Sequence, residues 1–267
     1  MDTEEYLLMI LSDGNLPTGA FVASAGLESY IKHGHPPGGS ATNPTTTINF
    51  MRDSLQNYAR SALPFARDAH RLAELHKSQS ELSSESTIKS ISELDDLYDK
   101  MTLNHVARRA SKTQGVALLT LYSRGFTRPA YLDSMNVDPE KSRIGALIDT
   151  LKLSVRKGEI HGHLPICWGI LTASLDLSAE RSIEVHLFLY ARSVLSSAIR
   201  LNSLGPYSAQ QLLLHVVKPL VREECSTQTR ITLDVNDDEW EGPANTWPLG
   251  EILGARHDQQ HSRIFNS

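Results

Sequence analysis

Between Ser178 and Leu204 the chain reads SAERSIEVHLFLYARSVLSSAIRLNSL, the longest uninterrupted helical pattern in the sequence. At 100° per residue Ile183, Leu187, Tyr190, Val194, Ala198 and Leu201 fall on one line, and Phe188, Ala191, Leu195 and Ile199 widen it to roughly half the circumference. A stripe that wide predicts a core helix with several neighbours. Ser178 suits its N-cap, and Gly205-Pro206 is the expected stop, a residue free to take positive φ followed by one that cannot continue a helix.

The remaining pattern is also helical. Thr3 caps a first short helix with Leu7, Leu8 and Leu11 inward, and the turn Asp13-Gly14-Asn15-Leu16-Pro17 is stiffened by Pro17. From Thr18 the segment GAFVASAGLESYIKHG predicts one helix, its surface made shallow by Ala20, Ala23, Ser24, Ala25 and Gly26 and its end marked by Gly34. Residues 35–47 have no apolar period and read as a flexible insertion. Ile48, Met51, Leu55, Tyr58 and Ala62 resume helical spacing, Pro64 kinks or restarts it, and Phe65, Ala69, Leu72 and Leu75 continue it. A second flexible insertion, rich in serine and glutamate, spans 78–92, and a helical register then runs from Leu94 through Val106 to Tyr122. In it Ala107, Ser111 and Gly115 form a small-residue groove suited to a close crossing. After a connection over 126–137, Asp138-Pro139-Glu140 starts a helix buried through Ile144, Leu147, Ile148, Leu151 and Val155 and ended by Gly158. HGHLPICWGILTASLDL is a shorter helix. Ser208 caps the next, with Leu212, Leu213, Val216, Val217 and Leu220 inward and Pro219 as a bend. A short alternation at Ile231 to Val235 is the nearest thing to a strand. The prediction is an all-α, single-domain bundle over 1–267, with about eight to ten helices of ordinary length.

Composition narrows the function classes. A formal charge of −5 argues against a nucleic-acid surface spread over the domain, and no apolar run is long enough to span a membrane. Two cysteines, Cys167 and Cys225, both in helical context and without a CxxC, point to a reducing, cytoplasmic location rather than a disulfide framework. The end of the chain reverses charge: Asp234, Asp237, Asp238, Glu239 and Glu241 precede ARHDQQHSRIFNS over 255–267, the composition of a binding tail.

Eleven histidines raise the question of metal chemistry. His161 and His163 form an HxH, and His257 and His261 stand at i, i+4, but neither pair comes with a third ligand in sequence. HExxH, GxSxG, GxGxxG and the P-loop pattern are all absent from the sequence. The residues alone therefore leave an all-α protein with no visible active site, no expected cofactor, and a weaker alternative: a metal-dependent helical hydrolase or metal carrier using His161 and His163.

Five blocks carry a family resemblance. LSDGNLPTGAFVASAGLES is similar to the pattern L-x-D-S-x-L-P-x-G-x-F-x-x-S-x-G-L-E of the urease accessory protein F (UreF) family through Asp13, Leu16, Pro17, Gly19, Phe21, Ser24, Gly26, Leu27 and Glu28. RRASKTQGVALL resembles a middle block through Arg108, Ser111, Gly115, Leu118 and Leu119; GHLPICWGI resembles G-H-x-P-x-x-x-G through Gly162, His163, Pro165 and Gly169. SSAIRLNSLG resembles a later block through Ala198, Arg200, Leu201, Leu204 and Gly205, and the final RHDQQHSRIFNS matches at Arg256, His257, Gln260, Ser262, Arg263, Phe265 and Ser267. Gly14, Ala23, Ser203 and Pro206 depart from the family pattern, and the two insertions suggest a eukaryotic member of fungal or plant type.

The resemblance implies a non-catalytic, dimeric, all-α scaffold in the assembly of urease's nickel centre, binding a UreD/UreH-type protein, the GTPase UreG and apo-urease. On that reading the tail over 254–267, through Arg256, His257, Arg263 and Phe265, anchors on the UreD-type partner. Asp13, Pro17, Gly19 and Glu28 help form the surface that meets the GTPase, and Phe21 is a further partner-binding residue.

Overall fold

The computed structural model describes residues 2–33, 44–79, 81–129, 131, 139–227 and 242–267, and every regular element among them is helical. This is the all-α class that the pattern predicts. In chain order the helices are α1 (Thr3–Leu11), α2 (Leu27–Lys32), α3 (Pro44–Ser78), α4 (Ser84–Met101), α5 (His105–Leu121), α6 (Pro139–Lys157), α7 (Leu164–Ser174), α8 (Ala179–Arg200), α9 (Pro206–Leu212), α10 (Lys218–Thr227) and α11 (Pro248–Ala255). Among the described residues no helix is long and apolar enough to cross a membrane.

Several expectations are corrected by local chemistry. The N-cap of α1 is Asp2, one residue before Thr3; its carboxylate accepts Thr3 N–H and Glu5 reaches back to the Asp2 N–H at 3.3 Å, a reciprocal box. The stretch after Thr18 is not one helix. A 3₁₀ turn at Ala20–Val22 gives way to extended Ala23, then to Ala25 at φ 54° and Gly26 at φ 87°, and only then to α2. Two consecutive left-handed residues cannot sit inside a right-handed helix, and the small side chains serve this sharp reversal instead of a shallow helix face.

α3, with 35 residues, is longer than α8 with 22, because it runs unbroken through Pro64. Proline has no N–H to give the carbonyl of Arg60, and that carbonyl accepts the N–H of Ala244 instead, at 3.3 Å. One turn earlier the Asn57 side chain accepts the N–H groups of Thr246 (2.7 Å) and Trp247 (3.2 Å). The proline thus leaves an open acceptor on which the segment leading to α11 is docked. α3 already starts at Pro44, so the expected 35–47 insertion ends inside a helix; 35–43 and the Gly34 stop lie outside the described residues.

Most of the expected 78–92 insertion is helical as well. Ser83 caps α4 by accepting the N–H of Ser86 at 3.1 Å, so the serines form a cap and first turn, and only residue 80 lies outside the described set. The register expected through 94–122 breaks at 102–104, where the Asn104 side chain accepts the N–H groups of Val106 (3.0 Å) and Ala107 (3.3 Å) and starts α5. α8 has its Ser178 cap, whose hydroxyl accepts Arg181 N–H at 3.4 Å, but the left-handed residue after it is Asn202 at φ 56°. Gly205, at φ −73°, is instead the N-cap of α9, which puts Ser208 inside the helix. Of the five side chains expected inward near there only Val217 is buried, because a π turn at Leu213–Val217, just before Pro219, shifts the register. Asp138, the 231–235 alternation and the 234–241 acidic run lie outside the described residues.

The described chain forms two compact units. One comprises Met1–Thr18, Phe65–Met101 and Ser111–Ser182. Its most enclosed element is α7, buried at every position from Pro165 to Ser174. Gly169 crosses α3 so closely that a Cβ there would run into the carbonyl of Ala66, and Gly115 meets the carbonyl of Gly162 in the same way. The small-residue groove is thus real at Gly115, though it receives a loop rather than a helix.

The other unit comprises Gly19–Pro64, Thr102–Ala110 and Ile183–Ser267. Leu27, Phe50, Met51, Leu55, Ala59, Leu187, Val194 and Ala198 form its core. Tyr58 stacks on Tyr190 at 4.2 Å, and its hydroxyl lies 2.8 Å from Nε2 of buried His186. Burial pushes the imidazole of His186 down to about 3.

Candidate functional site

Within the second unit the N-terminal signature and the C-terminal tail meet. α2 has only six residues, and Glu28 in its first turn is fully buried. Its carboxylate accepts the N–H groups of Ile264 at 2.8 Å and Phe265 at 3.1 Å, and Lys32 one turn on neutralises it at 3.3 Å. The backbone closes the joint: Asn266 N–H donates to the Val22 carbonyl at 2.9 Å, and Ser24 N–H donates to the Ser267 carbonyl at 2.6 Å. Phe265 is 2 % exposed. Its ring lies 4.3 Å from the Arg200 guanidinium, which also lies over the Phe21 ring at 3.9 Å.

The tail is fastened from outside by one carboxylate. Asp258 accepts two hydrogen bonds from Arg109, at 2.8 and 2.9 Å, and one from Arg263 at 2.5 Å, with His105 3.4 Å away. The Arg109 and Arg263 guanidinia hold its carboxyl well below the usual carboxylate range. Arg109 also donates to the Asn266 carbonyl at 3.0 Å.

Of the residues singled out in the sequence, Gly19, Phe21, Glu28, Arg256, His257, Arg263 and Phe265 fall in this unit, and Asp13 and Pro17 in the other. Gly19 has φ 74°, which explains glycine there. Glu28, His257 and Phe265, expected to face a partner, are buried within the chain; His257 Nε2 donates to the Phe265 carbonyl at 3.1 Å. His261 is exposed, so the i, i+4 histidines do not share a face. Phe21 (67 % exposed), Val22 and Ile264 (61 %) stay open, with Arg256 and Arg263 also at the surface. Asp13 and Pro17 are exposed on the turn that the sequence predicts, the Asp13 carboxylate accepting Asn15 N–H at 2.9 Å. Asp258 and Arg109 escaped the sequence reading; the lone acid among the basic residues of the tail was the available signal.

The HxH lies in the first unit. Asp95, fully buried, accepts the N–H groups of His161 (2.7 Å), Gly162 (3.0 Å) and His163 (2.9 Å). His163 Nε2 faces Asp99 at 3.0 Å and Nδ1 faces the Ser111 hydroxyl at 3.1 Å, which accepts Leu164 N–H at 3.0 Å. His161 lies 3.1 Å from Lys112 and 3.2 Å from Asp96. Burial alone would raise the Asp99 carboxyl, but Lys112, His163 and His161 reverse this and hold it at about 2. Burial lowers His163 despite Asp95 and Asp99. Every ring nitrogen of the HxH faces a protein group, and among the described residues no set of three or more His, Cys, Asp or Glu is placed to hold a metal ion.

The comparison with known proteins decides the family. The UreF family model matches residues 41–217, more than half of the chain. The chain belongs to the UreF family. It is 37 % identical to urease accessory protein 6 of Cryptococcus neoformans var. grubii, over 99 % of this chain and 97 % of that one. Identity to urease accessory protein F of Arabidopsis thaliana is 28 %, over 96 % and 90 %, and to UreF of Corynebacterium efficiens 25 %, over 99 % and 97 %. The stronger likeness to a fungal protein marks it as a eukaryotic UreF. The Cryptococcus and Corynebacterium proteins each match 99 % of this chain, so that likeness extends into the signature and the tail, which the family match itself leaves out.

Proposed function

We propose that this UreF protein is a urease accessory protein, a non-catalytic, cytoplasmic, dimeric scaffold that joins a UreD/UreH-type protein and the GTPase UreG to apo-urease while nickel is delivered as cargo. The observation that carries this reading is the fusion of signature and tail into one surface, where Phe21, Val22 and Ile264 lie open beside Arg200 and Arg263. A preformed apolar face with a cationic rim loses little entropy on docking and offers directed donors, as an adaptor requires. The UreD-type protein docks here, and the exposed turn at Asp13 and Pro17 meets the GTPase. The ring environments of His161 and His163 lend no support to a hydrolase or carrier. The test is co-purification from a urease-producing host. Phe21→Asp with Ile264→Asp should abolish capture of the UreD-type protein while helical content is unchanged; full capture would overturn the assignment. Asp13→Arg should weaken GTPase recruitment alone.

A further inference from the structure

We infer that Arg200 is the positioning residue of the docking face: its guanidinium holds the Phe21 ring in the orientation that the partner takes, and it ties that ring to the seated tail. This rests on the reading above, in which the UreD-type protein docks on Phe21, Val22 and Ile264, and it names the group that sets the geometry there. Phe21 needs such a group. It stands in a three-residue 3₁₀ turn, Ala20–Val22, between Gly19 at φ 74° and extended Ala23, and it is 67 % exposed. A turn that short leaves an exposed ring free to change rotamer, so each docking event would have to freeze it. One side chain meets both halves of the residue. The Arg200 guanidinium lies over the ring, 3.9 Å from its centroid, and its Nη1 donates to the Phe21 carbonyl. Ring and backbone are fixed together.

Arg200 is itself held. It is the last residue of α8, where a cation suits the negative end of the helix dipole. Its Nε donates to the Ser196 carbonyl at 3.4 Å, one turn back, and the buried Phe265 ring lies 4.3 Å from the guanidinium. Burial lowers the pKa of the group, and the two rings and two carbonyls offset the cost of keeping its charge there. Support therefore runs from the tail through Phe265 to Arg200, and from Arg200 to Phe21, so the docking face is complete only while the tail is seated. A lysine cannot stand in: its ammonium is a compact point charge, without the planar fork that lies over a ring and donates to the carbonyl beside it.

The test is a double-mutant cycle in the full-length chain, read by its affinity for the immobilised UreD-type protein of the same host and by the proton resonance of Arg200 Nε–H. Arg200→Lys and Phe21→Leu should each weaken binding about tenfold, and the double variant no more than either, because the guanidinium acts through the ring. Arg200→Lys should leave the melting transition unmoved, together with amide exchange at Ile264 and Phe265, which Glu28 holds. With no partner present, Phe21→Leu should shift the Nε–H resonance downfield as one ring current is lost. A resonance indifferent to that change overturns the clamp. Additive losses in the cycle make Arg200 an independent contact, and early melting of Arg200→Lys makes it a fold residue; either overturns the inference. If Arg200→Lys binds as the unsubstituted chain does while Phe21→Asp with Ile264→Asp abolishes capture, the inference fails and the docking reading stands. If neither affects capture, both fail.

Discussion

Asp95 and Glu28 are both fully buried carboxylates that accept backbone N–H groups from a distant part of the chain, at His161 to His163 in one unit and at Ile264 and Phe265 in the other. Their surroundings differ. Around Asp95 the neighbouring groups are paired in turn, His163 with Ser111 and Asp99, and Asp99 with Lys112. Around Glu28 several buried polar atoms lack partners, and the outer fastening through Asp258 faces solvent. The same chemical device thus makes a permanent joint in mid-chain and an openable one at the tail. The satisfaction of the groups around the carboxylate decides which.

The largest expected effect comes from Asp95→Ala. Removing the acceptor orphans N–H groups in a buried site, at about 1–3 kcal/mol each, so denaturant unfolding should show a loss of roughly 3–5 kcal/mol. A loss under about 1 kcal/mol would mean that water replaces the carboxylate and that the joint is less permanent than argued.

The next effect is the pH dependence of stability, which comes from the core and not from the two joints. Asp99 is held at about 2 and Asp258 is also lowered, so neither takes up a proton above pH 4. His186 does contribute there, through a buried neutral imidazole rather than through an ion pair. Its imidazole is neutral in the fold down to about 3. An unfolded imidazole takes its proton near 6.5, so between roughly pH 6.5 and 3 the unfolded chain binds more protons and stability falls as pH falls, by up to ~1.4 kcal/mol per pH unit. His186→Gln should flatten the slope of stability against pH by up to that amount. An unchanged slope would show that His186 is protonated within the fold.

Glu28→Gln is expected to cost less, about 1–2 kcal/mol, and to cost it locally. Amide exchange at Ile264 and Phe265 should quicken about tenfold or more while the melting transition barely moves. Should the whole unit melt early instead, the tail is a core element and the contrast with Asp95 collapses.

How much of this was legible in the sequence depends on range. Helix type followed from apolar spacing, because the i, i+3, i+4 pattern of α6 or α8 records a buried face directly. The course of 19–32 did not: a run of alanines suits a helix as well as a sharp reversal, and the left-handed Ala25 and Gly26 are chosen by the tail packed against them. Pro64 misled for a similar reason, since the acceptor that it frees is filled by Ala244, 180 positions on. In the site, Glu28 and Phe265 could be singled out by resemblance but not their pairing, since nothing local to either marks burial. Arg109 and Asp258 needed the fold itself.

The smallest effect is the most discriminating. Asp258 is exposed enough that its ion pairs are worth on the order of 0.5 kcal/mol, so Asp258→Asn should speed tail amide exchange only two- to threefold at low salt. Half-molar salt shortens the Debye length to about 4 Å and should give the unsubstituted tail nearly the same exchange as the variant. Asp95 is shielded from such screening, and exchange at His161 to His163 should be indifferent to salt. If added salt loosened both joints equally, the difference in their surroundings would not be what sets their stability, and Asp258 would be a bystander rather than the outer fastening of the tail.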